Sequence, residues 1–285
     1  MLIEQMFGVK IPALRIAVLA GALLGLAAPA AAALPHPAHV VVVIEENHSR
    51  DEIIGNAAAP YMTRLANQGA FFTRSYAITH PSLPNYFALF AGLTNSNADD
   101  CPALGIPTTA PNLASELIAA HLSFVGYAEG LPAPGSMVCW AGHYARKHAP
   151  WVHFSNIPQK TVSLPFTAFP SDYGKLPTVS FVIPDQMNDM HDGTIAQADA
   201  WLSKNIAPLV AWAQTHDTLV VLTWDEDDRS GDNQIPTIFL GPMVKAGRYA
   251  EHITHYNVLR TMVDFYALPR LGRTGTASPI IGCWR

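Results

Sequence analysis

Charge is scarce in this chain. Lys, Arg, Asp and Glu together make up 14% of its 285 residues, which argues against a disordered or heavily solvated polymer. Basic clusters are scarcer still. Beyond Arg146-Lys147-His148 no Lys/Arg run occurs, and the formal net charge is −5, so a basic face for nucleic acid is excluded. There are only three cysteines, Cys101, Cys139 and Cys283, none in a C-x-x-C pair, which argues against a structural zinc site. After the first thirty-odd residues no stretch is apolar enough to span a bilayer, and no internal repeat is evident.

What is present begins with a leader-like segment. Lys10 and Arg15 precede the apolar run Ile16 to Leu26, and small residues follow through Ala33. That is a charged n-region, an h-region and an A-x-A-like cleavage site. Residues 1–33 are therefore expected to be a signal peptide directing secretion or delivery to the periplasm or cell envelope, and the short apolar core argues against a retained anchor. An exported chain meets oxidising conditions, so one disulfide is expected, here Cys101–Cys139 in the loop-rich middle, with Cys283 free. The remaining roughly 250 residues, 34–285, suit one large α/β domain, expected to be monomeric.

Apolar, β-branched runs alternate with helical patterns. His39 to Ile44, Gly69 to about Ala77, Leu122 to Ala128, Pro177 to Pro184 and Leu219 to Trp224 read as strands, and Ile235 to Pro242 as an edge or late strand. Pro60–Gly69, a segment starting at Ser82, Asn112–His121, Thr194–Gln214 and a segment starting at Thr254 read as helices. Residues 129–171 are rich in Pro, Gly, His and aromatics, as expected of an insertion covering a site. The fold class expected is α/β, a three-layer α/β/α sandwich on a mainly parallel sheet.

The polar groups fall at strand ends, where open α/β sheets bind ligands. Glu46 and Asn47 follow the first strand, Asp189 and His191 the fourth, and Asp225-Glu226-Asp227-Asp228 the fifth. Four packed carboxylates repel one another unless a cation sits among them, and oxygen ligands suit hard divalent ions. Taken singly, such a run also forms an ordinary solvated loop. Ser82 stands at a helix start, where free N–H groups favour a phosphate oxyanion; an N-cap serves there equally well. Thr254 as a cap places His255 in the first turn of the last helix. His80, Asn85 and backbone N–H groups near Ser82 are candidates to hold phosphate oxygens. Within the insertion, His143, His148 and His153 could be ligands but read better as surface or core histidines, while Arg146 and Lys147 are candidates to meet a substrate phosphate. Serine, carboxylates, an amide and histidines at one edge suit metal-assisted attack of a serine oxygen on phosphorus.

The runs VVIEENHS, THPSLPNYFALFAG, VIPDQMNDMHDG, VVLTWDEDD and THYNVLRT resemble, in order, those of the bacterial phosphoesterase family. That family holds secreted acid phosphatases and phospholipases C within the alkaline-phosphatase-like superfamily, and the likeness is greatest to its mycobacterial acid-phosphatase branch. The resemblance implies an alkaline-phosphatase-like fold and metal ligands at Glu46, Asn47, Asp225 and Glu226. It also implies a metal-bound nucleophile at Ser82, active-site histidines at His191 and His255, and Asp189 beside them. It further implies broad phosphomonoester substrates, small phosphorylated molecules that include nucleotides or phosphoinositide head groups. Where the family commonly continues its Glu-Asn pair with Ser-Phe-Asp, this chain has His48-Ser49-Arg50, which weakens a phospholipase assignment. The oxygen-rich ligand set favours Ca²⁺, Mg²⁺ or Mn²⁺; nearby histidines also suit Zn²⁺. The competing readings are a phosphodiesterase and an exported metal-dependent binding module without turnover. A sulfatase-like hydrolase lacks support, because the Cys/Ser-x-Pro-x-Arg pattern is missing.

Overall fold

In the computed structural model, which describes residues 34–94, 99, 101–102, 105 and 107–285, ten strands and eight α-helices are present among the described residues. The expected leader, 1–33, lies outside them. The strands are β1 (His39–Glu45), β2 (Ala70–Tyr76), β3 (Phe124–Ala128), β4 (Trp140–Ala141), β5 (Tyr144–Ala145), β6 (Ser163–Pro165), β7 (Val179–Ile183), β8 (Thr218–Trp224), β9 (Thr237–Leu240) and β10 (Gly247–Thr254). The helices are α1 (Arg50–Ile53), α2 (Pro60–Gln68), α3 (Ser82–Ala91), α4 (Leu113–Ala119), α5 (Gln159–Val162), α6 (Ile195–Asn205), α7 (Ala207–Ala213) and α8 (His255–Phe265).

Eight strands form one sheet in the order β10-β2-β9-β8-β1-β7-β3-β6, and β4 pairs with β5 in a separate ribbon. Every pairing in the large sheet is parallel except the two made by β9. β1 shows why its sequence is an unbroken apolar run rather than an alternating one. Val40, Val42 and Ile44 enter a core shared with α3, α4 and α8, while Val41 and Val43 enter a second core shared with α2, α6 and α7. A strand covered on both faces has no solvent side to leave polar. The three-layer sandwich expected from the alternation of elements is therefore the fold observed.

Three expectations need correction. The helix read over Thr194–Gln214 is two helices, α6 and α7, because Pro208 has no N–H for the i→i−4 bond and begins a new first turn. The segment Ile235–Pro242 is late but not an edge: β9 lies inside the sheet between β2 and β8. The edge is taken by β10, whose exposed, charged sequence GRYAEHIT lacks a strand-like pattern; it is held by parallel pairing to β2. The insertion is also more than a cover. β6 extends the main sheet, and Trp151, Val152 and Phe154 are fully buried in the core. The expected Cys101–Cys139 disulfide is formed, and Cys283 is free and buried.

Candidate active site

Sheet order is what assembles the site. β8, β1 and β7 are neighbours, so the residues leaving their carboxyl ends meet. Two backbone bonds extend the ladder past the strands, Asp225 N–H to the Glu45 carbonyl and Glu46 N–H to the Asp189 carbonyl, both 3.0 Å. Glu46, Asp189 and Asp225 are thereby locked side by side, each essentially without solvent exposure. α3 then delivers Ser82 to the same point. The serine is its first residue, and its Oγ donates to Glu46 Oε2 at 3.3 Å. Gly92 ends this helix at φ +68°, a conformation glycine adopts without strain.

The electrostatics are those of crowded, dehydrated acids. Burial pushes the Glu46 carboxyl well above the usual carboxylate range, and Asp225 and Asp189 add to the effect. Burial likewise raises Asp225, with Glu226 as the next cause, and raises Asp189. Glu226 is pushed up to about 8, again chiefly by burial. Several oxygens able to ligate a cation are left unsatisfied in this nest. Asn47 Oδ1, Asp225 Oδ2 and Asp189 Oδ2 are buried without a hydrogen-bond partner. His148 Nε2 lies 3.2 Å from Glu46 Oε1, and its Nδ1 lies 3.4 Å from Asp189 Oδ2, neither aligned as a good hydrogen bond. Donor atoms of Glu46, His148 and His191 fall within 4.8 Å of one another. Buried, unpartnered donors and mutually repelling carboxyls converging on one point fit a divalent cation.

A cavity of about 260 Å³ opens over Ser82, lined by Asn47, Asp99, Lys147, His191, Glu226 and Arg229 among others. At its mouth the Asp99 carboxylate accepts from the Leu83 N–H at 3.0 Å and from Lys147 Nζ at 2.6 Å. An anion thus sits on the free N-terminus of α3, beside the serine and under an ammonium.

The residues singled out from the sequence do not all take the places expected. Glu46, Asn47, Ser82, Asp189, Asp225 and Glu226 come together, and His191 lines the cavity. Asn85 does not line the cavity. Its oxygen accepts from the Ile78 and Thr79 N–H groups, and its amide donates to Thr79 and Pro81 carbonyls and to Glu226 Oε2. Its capacity is spent on holding the turn before α3 and aiming Glu226. His80 rests on Glu226 and Asp227, at 3.2 and 3.1 Å, and is not part of the cavity lining. His255 is buried with Nε2 donating to the Asp225 carbonyl at 2.7 Å, and burial lowers it to about 4, so it is neutral and positions the acid loop. Arg146 is buried and donates to the Met137 and Val152 carbonyls; Lys147 alone of that pair reaches the cavity.

His148, for which a surface or core place is expected ahead of a ligand's, is buried, but beside the acids rather than in an apolar cluster. It stacks on Tyr86, whose hydroxyl bonds Glu46, and it touches two of the acids. The single mark it leaves in the sequence is its place after the chain's one basic pair. Glu45 was also passed over. Neither of its buried oxygens has a partner, and burial and the nearby Asp189 raise its carboxyl.

Comparison with known proteins bears on family and fold. Residues 56–269 match the model of the phosphoesterase family. The chain is 55% identical over 258 residues to the phosphatidylinositol-3-phosphatase of Mycobacterium tuberculosis, covering 90% of this chain and 85% of that protein. It is 33% identical to an acid phosphatase of Aspergillus fumigatus, covering 79% of this chain and 54% of that one; it thus spans about half the length of this fungal relative. Among solved structures, a Vibrio parahaemolyticus protein of the alkaline phosphatase superfamily aligns with a TM-score of 0.60 at 13% identity, over 87% of this chain and 71% of that one. A Listeria monocytogenes lipoteichoic acid synthase aligns at 0.61 and 12%, over 88% and 77%. At such identities the likeness concerns the fold alone. With the family model matched over residues 56–269 and a 55% identical relative covered over 85% of its length, the chain belongs to the phosphoesterase family.

Proposed function

We propose that this phosphoesterase hydrolyses phosphomonoesters through Ser82, with a phosphoserine intermediate, and that phosphorylated inositol lipids are among its substrates. The observation that carries the reading is the Ser82 hydroxyl hydrogen-bonded to Glu46 at the N-terminus of α3, inside a buried nest of acids. The lipid substrate class is supported by the relative named phosphatidylinositol-3-phosphatase. A divalent cation would be held by Glu46, Asn47, Asp225 and Glu226, with Asp189 and His148 alongside; when bound it neutralises the carboxyls, lowers the serine pKa and offsets phosphate charge. Oxygen donors suit Ca²⁺, Mg²⁺ or Mn²⁺, and the two imidazoles suit Zn²⁺ as well.

The chain's own residues then divide the work. Glu46 accepts the Ser82 proton across their hydrogen bond as the oxygen attacks phosphorus. The Leu83 N–H and Lys147, released from Asp99, hold the phosphate oxygens. His191, the partly exposed histidine of the cavity, hydrogen-bonded to Asp192 at 2.7 Å, gives a proton to the leaving alcohol and later takes one from the water that cleaves the phosphoserine, while Glu46 returns its proton to the departing Ser82 oxygen. Export is part of the proposal. The leader-like residues 1–33 and the disulfide, of a kind that persists in oxidising compartments, support it.

Ser82→Ala tests the scheme. It should cut phosphate release from p-nitrophenyl phosphate by about three orders of magnitude or more, with the thermal midpoint unchanged; near-normal turnover rejects it. Running bis-p-nitrophenyl phosphate alongside separates monoester from diester chemistry: faster cleavage of the diester would favour the phosphodiesterase reading. Chelation should inactivate the enzyme, and recovery on adding single ions identifies the metal.

A further inference from the structure

From Gly130 to Gly142 the chain reads GLPAPGSMVCWAG and contains no charged residue. Three of its side chains are large, apolar and exposed: Met137 at 48%, Val138 at 43% and Trp140 at 56%. Pro132, Ala133 and Pro134 beside them are exposed too. Among the described residues only Ile118 and Ile281 are comparable, and each stands apart from this stretch in the sequence. The backbone beneath is firmly held. Trp140 pairs with Ala145 in the β4–β5 ribbon, Cys139 is bonded to Cys101, and the Met137 and Cys139 carbonyls both accept from Arg146 at 2.9 Å. Gly135 N–H bonds the Ser163 carbonyl of β6. A rigid backbone that holds apolar side chains in water marks a contact surface rather than a packing defect.

Its position says what fits. Arg146, which ties down this stretch, is followed directly by Lys147 of the cavity wall and His148 of the acid nest. The surface carried by Met137, Val138 and Trp140 is therefore tied, through hydrogen bonds of Arg146, to the turn that supplies the cavity with Lys147. The stretch has no acid to repel an anionic surface, and the exposed Lys160 lies against Gly135. Tryptophan with aliphatic neighbours and a flanking cation is the composition that settles at a lipid–water boundary. We propose that residues 132–142 are a membrane-docking tip that seats the catalytic cavity on bilayers bearing phosphomonoester lipids. This rests on the phosphatase reading above and adds to it that the substrate is met at an interface.

The test uses the full chain and its triple variant Met137→Ser, Val138→Ser, Trp140→Ser. Sedimentation with phosphatidylcholine vesicles, with and without a phosphatidylinositol monophosphate, measures docking. Phosphate release from those vesicles and from a soluble short-chain phosphoinositide separates docking from chemistry. The parent chain should sediment with vesicles, and more so with the phosphorylated lipid. The triple variant should lose about tenfold or more in both vesicle assays, while its rate on the soluble substrate stays within about twofold. Val138→Asp, which keeps Trp140 and the disulfide, should lose vesicle binding in the same direction. Equal vesicle hydrolysis by parent and variant, or a parent that does not sediment, overturns the proposal. So does a parent dimer that the triple variant dissociates, which would assign the tip to a second copy. If the parent cleaves neither lipid, the phosphatase reading fails by itself, and sedimentation of parent against variant still decides the docking.

Discussion

At the scale of single residues, the site depends on which groups are free to act. Lys147 and Asp99 are the clearest pair. Their contact occupies the spot where α3 presents its N–H groups, so an arriving phosphate must exchange one anion for another. Lys147→Met should therefore raise KM for a phosphomonoester about tenfold or more, with a smaller change in kcat, since a charge-assisted bond to substrate is lost. Steady-state kinetics check this, and an unchanged KM would remove Lys147 from substrate binding. His153 makes a different contribution. It is buried beside Arg146, donates Nε2 to that residue's carbonyl at 3.3 Å, and is lowered to about 4 by burial, with the Arg146 charge adding to the effect. A histidine held neutral in the fold but ordinary when unfolded contributes stability above its unfolded pKa of 6.5, and that contribution is lost as pH falls toward 4. The gap corresponds to at most about 3 kcal/mol. His153→Gln should therefore lose less stability than the parent between neutral pH and pH of about 4.5, as measured by urea midpoints. Parallel losses would show that His153 has no part in the acid sensitivity.

At the scale of elements, the insertion joins the sheet through the β6–β3 pairing and through one close approach. Trp151 lies on β3 where Gly126 leaves room: a Cβ there would stand 2.2 Å from the indole. The indole N–H bonds Ser163 Oγ of β6 at 2.9 Å. This contact anchors the segment that brings Lys147 and His148 to the cavity. Gly126→Ala should cost about 1–3 kcal/mol by overpacking and lower activity as well, because the displaced ring shifts the turn that follows Arg146. Gly275→Ala, with no atom near its Cβ and no positive φ, is the control expected to be near neutral. Equal denaturant midpoints for the two variants would refute the packing argument.

At the scale of the whole molecule, the Cys101–Cys139 bond closes a loop of 38 residues that includes α4, β3 and the start of the insertion. A cross-link over that span restricts the unfolded chain by about 4 kcal/mol in the chain-entropy treatment. Cys101→Ser with Cys139→Ser should lower the stability of the folded chain by about 2–4 kcal/mol and loosen the wall that holds Lys147 against Asp99. An unchanged urea midpoint in the double variant would show that the bridge only decorates the surface. The large sheet itself needs no such restraint, since its central strands are covered by helices on both faces.

Much of this protein was legible without coordinates because the relevant physics is local. Unbroken β-branched runs gave the central strands, Ser82 and Thr254 were placed at helix starts by the residues around them, and acids directly after apolar runs were expected at a ligand-binding edge. The tertiary structure decided what depends on residues distant in sequence. The order β8-β1-β7 fixed which strand ends touch, and so which acids are brought together. The return of the insertion along β3 brought His148 and Lys147 into the site. Contacts with Glu226, Asp227 and the Asp225 carbonyl placed Asn85, His80 and His255 against the acid loop rather than in the cavity lining. Pairing with β2 made a strand of the exposed, charged β10. Local pattern records which face a side chain shows to its own element; which other element meets that face is set only by the packing of the whole chain.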